Sequence, residues 1–181
     1  VERTAQLHRE KRSEASLPLV ALVGYTNAGK SSLLNALSHE ETLAEDMLFA
    51  TLDPLTRRVA LPDGGAFLLS DTVGFIRKLP HHLIAAFRST LAEVRQADLI
   101  LHVVDGSASD AEEQSLAVMA VLGELDVLGK PRITVINKID LLENLPMLER
   151  LLGLWPDSVA ISALEKTGLS LLLEKIEEFL P

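Results

Sequence analysis

The feature that most constrains the fold of this 181-residue chain is a glycine-containing loop, GYTNAGKS, at residues 24–31. Residues 19–23 (LVALV), directly before it, are apolar and typical of a buried parallel strand. Residues 31–37, after it, have the pattern of a helix start. Gly24 and Gly29 let the backbone curl so that its N–H groups point inward, and the helix N-terminus adds partial positive charge. This order of strand, loop and helix predicts a phosphate-binding loop.

Two polar side chains at the end of the loop support this prediction. Lys30 can reach the β- and γ-phosphates of a nucleotide and act in catalysis there, and the Ser31 hydroxyl can ligate Mg²⁺. The alternative, a plain glycine-rich turn, does not explain why both side chains stand at these positions. The residues predicted to contact the phosphates are Asn27, Ala28, Gly29, Lys30, Ser31 and Ser32.

Apolar runs typical of strands alternate with helical patterns along most of the chain. The predicted strands are Leu19–Gly24, Arg57–Leu61, Ala66–Asp71, Leu99–Asp105, Ile133–Asn137 and Ser158–Ser162. Besides residues 31–37, helical patterns are carried by Leu83, Ile84, Phe87, Leu91 and Val94, by Ala117, Ala120, Val121, Glu124 and Leu125, and by Leu169, Leu172, Leu173, Ile176 and Leu180. Asp63-Gly64-Gly65 predicts the turn of an antiparallel hairpin. We therefore predict one α/β domain with a mostly parallel six-stranded sheet covered by helices on both faces.

Composition argues against several classes of protein. The formal net charge of −9 is unlike that of a general nucleic-acid binder. Since no run of about 18 apolar residues is present, we expect no membrane insertion, and the charged start of the chain does not resemble a secretory signal. The chain has no cysteine, which excludes disulfides and thiolate metal sites and fits a cytoplasmic location. Because it begins with valine, we expect a fragment of a longer protein.

Residues 1–16 are charged and show little apolar periodicity. Arg3, Arg9, Lys11 and Arg12 are interleaved there with glutamates. This pattern indicates either a solvated lead-in segment or an RNA contact, and we favour the lead-in segment.

The third predicted strand ends in DTVG at residues 71–74. Ligands of an open α/β sheet bind outside the carboxyl ends of its strands. Asp71 at such an end can approach the shell of a Mg²⁺ ion, usually through water. Gly74 leaves its backbone N–H free for the γ-phosphate, so that this loop can change conformation on hydrolysis.

The fifth predicted strand ends in NKID at residues 137–140, and this segment indicates the base. The Asp140 carboxylate can accept hydrogen bonds from the N1–H and the 2-amino group of guanine. Adenine has neither donor, so the buried carboxylate would be left unpaired, which costs free energy. The Lys138 stem can lie over the base, and Asn137 can bond both the base and the phosphate loop. After the sixth strand, a backbone N–H of Ser162-Ala163-Leu164 can contact the guanine O6. A polar turn after a strand is the alternative for NKID alone.

Together these segments resemble the HflX family of ribosome-associated GTPases, whose G domain has the Ras-like fold of P-loop NTPases. The resembling segments are residues 24–31, 48–54 (LFATLDP), 71–76 (DTVGFI), 79–80, 86–91 (AFRSTL) and 137–140. The resemblance implies that the chain binds GTP and Mg²⁺, hydrolyses GTP to GDP and phosphate, and acts on the large ribosomal subunit, including the splitting or rescue of stalled ribosomes. It also implies that residues 1–17 are the tail of an N-terminal linker helix and residues 18–181 the GTP-binding domain. We expect a monomer in the cytoplasm, or in an organelle with bacterial-type ribosomes.

The resemblance also assigns roles to individual residues. Thr51 would complete the Mg²⁺ shell begun by Ser31 and Asp71. Phe75 stands where many GTPases carry a glutamine that orients the attacking water, so we expect slow hydrolysis by the isolated domain. In related GTPases an asparagine at the position of Asn27 helps to bind K⁺ between the phosphates, and we hypothesise that K⁺ but not Na⁺ stimulates hydrolysis. The alternative is that Asn27 only stabilises the loop.

Two other functions stay open from the sequence. One is a nucleotide-switched module that binds the ribosome or RNA and hydrolyses little GTP on its own. The other is an ATP-using relative, against which Asp140 argues. For His81 and His82 the sequence offers no carboxylate partner, so we expect them at a helix start rather than in catalysis. His102 lies within a predicted strand, in the core or at an edge.

Overall fold

The computed structural model describes residues 17–38, 55–72 and 91–181. Within these ranges six strands form one sheet: β1 (Leu19–Gly24), β2 (Leu55–Ala60), β3 (Ala66–Asp71), β4 (Leu99–Asp105), β5 (Arg132–Asn137) and β6 (Ser158–Ala160). The labelled helices are α1 (Lys30–Ser38), α2 (Ala111–Glu124), α3 (Leu145–Leu154) and α4 (Leu169–Phe179). Residues 91–96 are also helical, and Ile139–Leu141 form a 3₁₀ turn.

The strands are arranged in the order β2-β3-β1-β4-β5-β6. β1 lies parallel to β3 and β4, and β5 lies parallel to β4 and β6. β2 pairs antiparallel with β3, and the turn between them is closed by a hydrogen bond of 2.8 Å from the Gly65 N–H to the Asp63 carboxylate. Gly64 in this turn has a φ of 95°, which favours glycine. The predicted mostly parallel sheet and its hairpin are confirmed, and the carboxyl ends of the parallel strands meet at one edge.

Alternate residues along the central strands face two separate apolar layers. On β1, Val20 and Leu22 pack in the layer that includes residues of α1 and α4. Ala21 and Val23 pack in the opposite layer, with α2 and the helical residues 91–96. Since both faces are covered by helices, the strands read as continuous apolar runs rather than as an alternating pattern.

Three predicted strands have the observed bounds, and three differ at their ends. β2 was predicted to start at Arg57 but starts at Leu55, and β5 starts one residue before the predicted Ile133. β6 ends at Ala160 rather than Ser162. Ser162 forms instead an isolated bridge with Thr167, in which each N–H donates to the other carbonyl at 3.1 Å. This bridge closes the loop after β6 on itself.

α3 and the 3₁₀ turn that precedes it were not predicted from the sequence. Asn144 caps α3, because its side chain accepts a hydrogen bond of 3.0 Å from the Met147 N–H. Pro146 lies in the first turn, where its missing N–H does no harm. These capping signals were present in the sequence. Leu148, Leu151 and Leu152 also follow helical spacing, although α3 buries only Leu151 and leaves Leu145 exposed.

The other helical predictions have mixed outcomes. α4 was predicted correctly, and it buries Leu172 and Ile176. α2 exists as predicted, but its buried residues are Ala111, Ser115, Val118 and Leu122 rather than those of the predicted pattern. The residues Leu83, Ile84 and Phe87 lie outside the described part of the chain. No described helix has the length and the apolar character required to cross a bilayer.

His102 occupies the middle of β4 with 2% of its surface exposed, so the core placement that the sequence suggested is confirmed. Burial, assisted by the positive charge of Arg132, lowers the pKa of the imidazole from 6.5 to about 4. Between these two values the unfolded chain binds a proton that the folded chain rejects. Stability must therefore fall as the pH decreases from 6.5 towards 4.

We predict that this histidine alone removes about 2 kcal/mol of unfolding free energy between pH 7.5 and pH 5. The measurement is urea unfolding of the wild type and of His102→Gln at both pH values. Carboxylates titrate in both proteins, so the difference between the two pH dependences isolates His102. Equal pH dependence in the two proteins would contradict the prediction.

Candidate nucleotide-binding site

The predicted phosphate loop joins β1 to α1, and its glycines are sterically required. A Cβ on Gly24 would lie 2.7 Å from the backbone oxygen of Val103 on the neighbouring strand. Gly29 has a φ of 98°, and a Cβ there would collide with the side-chain amide of Asn137. The Ala28 N–H donates to the Tyr25 carbonyl at 3.1 Å, which closes the loop on itself. The loop is therefore packed tightly between β4 and the end of β5.

Lys30 begins α1, and only 7% of its surface is exposed. Burial lowers the pKa of its ammonium below the usual value, while the charge of the Asp71 carboxylate acts in the opposite direction. A buried ammonium is stabilised by anions placed close to it. The placement of Lys30 thus suits a polyanionic ligand such as a nucleotide phosphate chain.

Ser31 and Asp71 come together where α1 begins and β3 ends. The Ser31 hydroxyl donates a hydrogen bond of 2.9 Å to Asp71 Oδ2, and the carboxylate is fully buried. The next residue, Thr72, anchors this end of β3, because its hydroxyl donates to the Leu22 carbonyl at 2.6 Å. A hydroxyl and a carboxylate are hard oxygen ligands, so this pair fits Mg²⁺. No group of three or more histidines and acidic residues suited to a metal occurs in the described ranges. Most ligands of such an ion would therefore be phosphate and water oxygens, as Mg²⁺ prefers.

Asn137 at the end of β5 links the phosphate loop to the loop after β6. Its side-chain N–H donates to the Ala28 carbonyl, and its side-chain oxygen accepts from the Ala163 N–H, both at 3.0 Å. The side chain is buried, with 2% of the residue exposed. The predicted bond from Asn137 to the phosphate loop is confirmed. The Ala163 N–H, which was predicted to contact the base, is already engaged with Asn137.

Lys138 adopts a left-handed backbone conformation, with a φ of 64°. Its ammonium donates a hydrogen bond of 2.9 Å to the Asn27 carbonyl in the phosphate loop. The same ammonium lies 3.1 Å from a carboxylate oxygen of Asp105, at the end of β4. Lys138 therefore makes a second link between the predicted base loop and the phosphate loop.

Asp140 lies on the 3₁₀ turn that follows β5. Its carboxylate accepts a hydrogen bond of 2.7 Å from the Ser162 hydroxyl, and that hydroxyl accepts one of 3.0 Å from the Glu165 N–H. The expectation that Asp140 is buried was wrong, since the residue is exposed. The turn carries it beyond the end of the strand, where the core no longer covers it.

Most of the predicted site residues within the described ranges converge on this edge of the sheet. They come from the loop after β1, the end of β3, the loop after β5 and the loop after β6. Leu164 does not share their contacts and is 79% exposed. Thr51, Gly74 and Phe75 lie outside the described residues, as do His81 and His82. The contacts of Asp105 and of the Ser162 hydroxyl were not predicted from the sequence, although a strand that ends in aspartate was a signal for Asp105.

Comparison with known proteins decides the family. Residues 19–138 match the family described as 50S ribosome-binding GTPase, and they include the phosphate loop, Asp71 and Asn137. The chain belongs to this family. It is 51% identical over 98% of its length to the protein named GTPase HflX of Caldanaerobacter subterraneus subsp. tengcongensis, which confirms the predicted resemblance. The chain spans 40% of the length of that relative.

Solved structures of GTP-binding proteins have the same fold. A GTP-binding protein from the archaeon Sulfolobus solfataricus, solved in complex with GDP, is 32% identical, with a TM-score of 0.71 over 98% of this chain and 57% of that chain. A variant of Era from Aquifex aeolicus, solved with GDP and tetrafluoroaluminate, is 27% identical, with a TM-score of 0.75 over 91% of this chain and 57% of that chain. The α/β fold of P-loop GTPases is thereby confirmed.

We predict that Gly29→Ala destabilises the domain more than Gly64→Ala. Both glycines have a positive φ, which costs roughly 1–2 kcal/mol in a residue with a Cβ. A Cβ at Gly64 has no neighbour within 4 Å, whereas one at Gly29 displaces the Asn137 amide and its hydrogen bonds. The additional loss at Gly29 should be about 1–3 kcal/mol, measured by urea unfolding. Equal losses of unfolding free energy at the two positions would show that the contact with Asn137 does not contribute to stability.

Proposed function

We propose that this domain binds GTP with Mg²⁺ and hydrolyses it to GDP and phosphate. The observation that carries the proposal is the direct connection of a predicted phosphate loop to a predicted guanine loop through the Asn137 side chain. A nucleotide would lie across these two loops, with its phosphates at the start of α1 and its base beside the turn after β5. Membership in a GTPase family supports the same assignment.

In this proposal the phosphate chain is held by backbone N–H groups of Asn27, Ala28 and Gly29 and by the ammonium of Lys30, with Ser32 close to them. The lysine neutralises charge that develops on the phosphate oxygens during transfer. Ser31 and Asp71 would hold Mg²⁺, whose role is to neutralise and orient the phosphates. We further propose that Thr51 and the N–H of Gly74 complete this arrangement when GTP is bound.

Guanine would be selected by Asp140, whose carboxylate is held in place by the Ser162 hydroxyl. The carboxylate matches the two neighbouring N–H donors on one edge of guanine, and an adenine at this place would leave it unmatched. Lys138 would lie along the base, and Asn137 would contact its edge. The Ala163 N–H would have to share its hydrogen between Asn137 and the base, while Leu164 would shape the rim of the pocket.

Phe75 cannot orient a water molecule, because its side chain forms no hydrogen bond. We therefore propose that the isolated domain hydrolyses GTP slowly and that a ribosomal group, a backbone carbonyl or a cation supplies the missing function. Asn27 supports the cation alternative, since K⁺ bound between the phosphates would neutralise charge as an arginine finger does.

We propose that the target of the domain is the large ribosomal subunit, with roles in ribosome splitting or rescue. The family description and the likeness to GTPase HflX support this partner. A module that binds the ribosome or RNA under nucleotide control, with negligible hydrolysis of its own, is the second candidate. We propose further that residues 18–181 are the GTP-binding domain, that the protein acts as a monomer and that it is located in the cytoplasm or in an organelle with bacterial-type ribosomes.

Single-turnover GTP hydrolysis separates these two candidates. We expect slow hydrolysis in NaCl, faster hydrolysis in matched KCl, and a further increase with large ribosomal subunits. The Lys30→Ala variant, which lacks the phosphate-binding ammonium, is the control for contaminating activity. A rate that neither K⁺ nor ribosomal subunits increase would favour the binding module. Equal rates in the two salts alone would remove only the K⁺ hypothesis.

We predict that Asp140→Asn lowers the affinity for GTP by at least about 100-fold, because one hydrogen bond to the base is lost, the other no longer has a charged acceptor, and the new amide N–H faces a guanine N–H. The affinity for xanthosine triphosphate should rise, since an asparagine amide can donate to the extra oxygen of that base. Calorimetry with GTP, ATP and xanthosine triphosphate in Mg²⁺ measures both effects. Asp126→Asn is a suitable control, because Asp126 is exposed beyond α2 and its φ of 58° is tolerated by asparagine. Unchanged GTP affinity in Asp140→Asn would refute the base contact.

A further inference from the structure

We propose that Asp105 is a positioning residue of the nucleotide site: it holds the Lys138 ammonium against the phosphate loop and thereby raises nucleotide affinity without touching the nucleotide. The inference rests on the proposed function for its nucleotide readout. It adds a residue from the end of β4 to a site otherwise built from the loops after β1, β3, β5 and β6.

The geometry places the Lys138 ammonium between two oxygen acceptors. It is 2.9 Å from the Asn27 carbonyl and 3.1 Å from Asp105 Oδ2. The two side chains are 26% and 18% exposed. A pair that is mostly removed from solvent is screened less than a surface ion pair.

The Asp105 carboxylate is itself held in a fixed orientation. Its other oxygen, Oδ1, accepts hydrogen bonds from the Ser107 N–H at 2.9 Å and from the Ser107 hydroxyl at 2.6 Å. The Gly106 N–H donates to the Asn137 carbonyl at 2.9 Å. A Cβ on Gly106 would lie 2.9 Å from a methyl group of Ile136. The turn after β4 is therefore pressed against the end of β5, and it presents Oδ2 to Lys138 in a preorganised position.

Lys138 needs such a partner because its side chain is long and its backbone is strained. A lysine has four flexible carbons, and ordering them costs side-chain entropy. Lys138 and Asn27 both have left-handed backbones, with φ of 64° and 66°. The ammonium joins these two residues directly. If Asp105 lost its charge, the ammonium would gain freedom, and the Asn27 peptide in the phosphate loop would lose its fixed contact.

The test is a double-mutant cycle on GDP affinity in Mg²⁺, measured by calorimetry on the folded domain. Asp105→Asn removes the charge and keeps the shape, and Lys138→Met removes the ammonium and keeps most of the stem. We expect Asp105→Asn to raise the Kd for GDP about five- to tenfold in the wild type, less than the loss of a charged hydrogen bond to the nucleotide would, because Asp105 acts only through Lys138. In the Lys138→Met background the same change should have no further effect.

Asp157→Asn is the matched control, because Asp157 also pairs with a lysine, Lys175, at 3.6 Å. This pair lies before β6 and in α4, away from the site, so its loss should leave the Kd unchanged. Urea unfolding of every variant separates affinity from stability, since a merely structural pair would change the unfolding free energy and not the Kd. Should Asp105→Asn fail to fold, Ser107→Ala tests the same chain of contacts, with an expected increase of about twofold in Kd.

An unchanged Kd in the folded Asp105→Asn variant, or an equal increase in the Lys138→Met background, would overturn the inference while the proposed function stands. If Asp105→Asn does not fold, an unchanged Kd in Ser107→Ala would do the same. A wild type that binds no GDP would overturn the proposed function and this inference with it. Increased Kd in Asp105→Asn, absent in the Lys138→Met background and absent in Asp157→Asn, supports the inference.

Discussion

The whole site depends on one buried amide. The Asn137 side chain donates a hydrogen bond to the phosphate loop and accepts one from the loop after β6. A single planar group therefore sets the distance between these two loops. This contact requires a glycine at position 29, because a Cβ there would collide with the Asn137 side-chain amide. Leaving either half of a buried amide unsatisfied costs about 1–3 kcal/mol. The two loops are therefore held as one rigid unit.

The site also has a distinct arrangement of charged side chains. The chain as a whole carries a formal charge of −9, yet two lysines lie at the proposed nucleotide site. Each lysine has a carboxylate nearby: burial lowers the pKa of Lys30 and the charge of Asp71 opposes this shift, while Asp105 lies 3.1 Å from Lys138. A carboxylate beside each ammonium offsets part of the cost of removing that cation from water. The general acidity of the surface and the local cationic character of the site are thus compatible.

Much of this architecture could be predicted because strong local signals agreed with each other. The strands β1, β3 and β4 were predicted with their observed bounds, since each is an apolar run that ends in a glycine or an aspartate. The phosphate loop followed from residue identities alone. α3 was missed although the Asn144 cap, Pro146 and the helical spacing of Leu148, Leu151 and Leu152 were signals for it.

Apart from the bond from Asn137 to the phosphate loop, the contacts between loops were beyond the reach of the sequence. The pairing of Asp105 with Lys138 joins residues 33 positions apart, and no periodic pattern in the sequence predicts such a contact. The exposure of Asp140 was also not predictable, because it depends on where a 3₁₀ turn leaves the sheet. Residue types and apolar runs predicted most strands and the phosphate loop, whereas the partner of Lys138 and the exposure of Asp140 depend on tertiary packing.

The double attachment of Asn137 has a consequence for protein engineering. Exchanging residues 137–140, at the end of β5 and in the turn after it, for those of another nucleotide-binding protein, in order to recognise a different base, would also remove the anchor of the phosphate loop. Recognition of the base and binding of the phosphates therefore depend on the same side chain, Asn137. A redesign that keeps the asparagine and alters only the turn carrying Asp140 leaves that anchor in place.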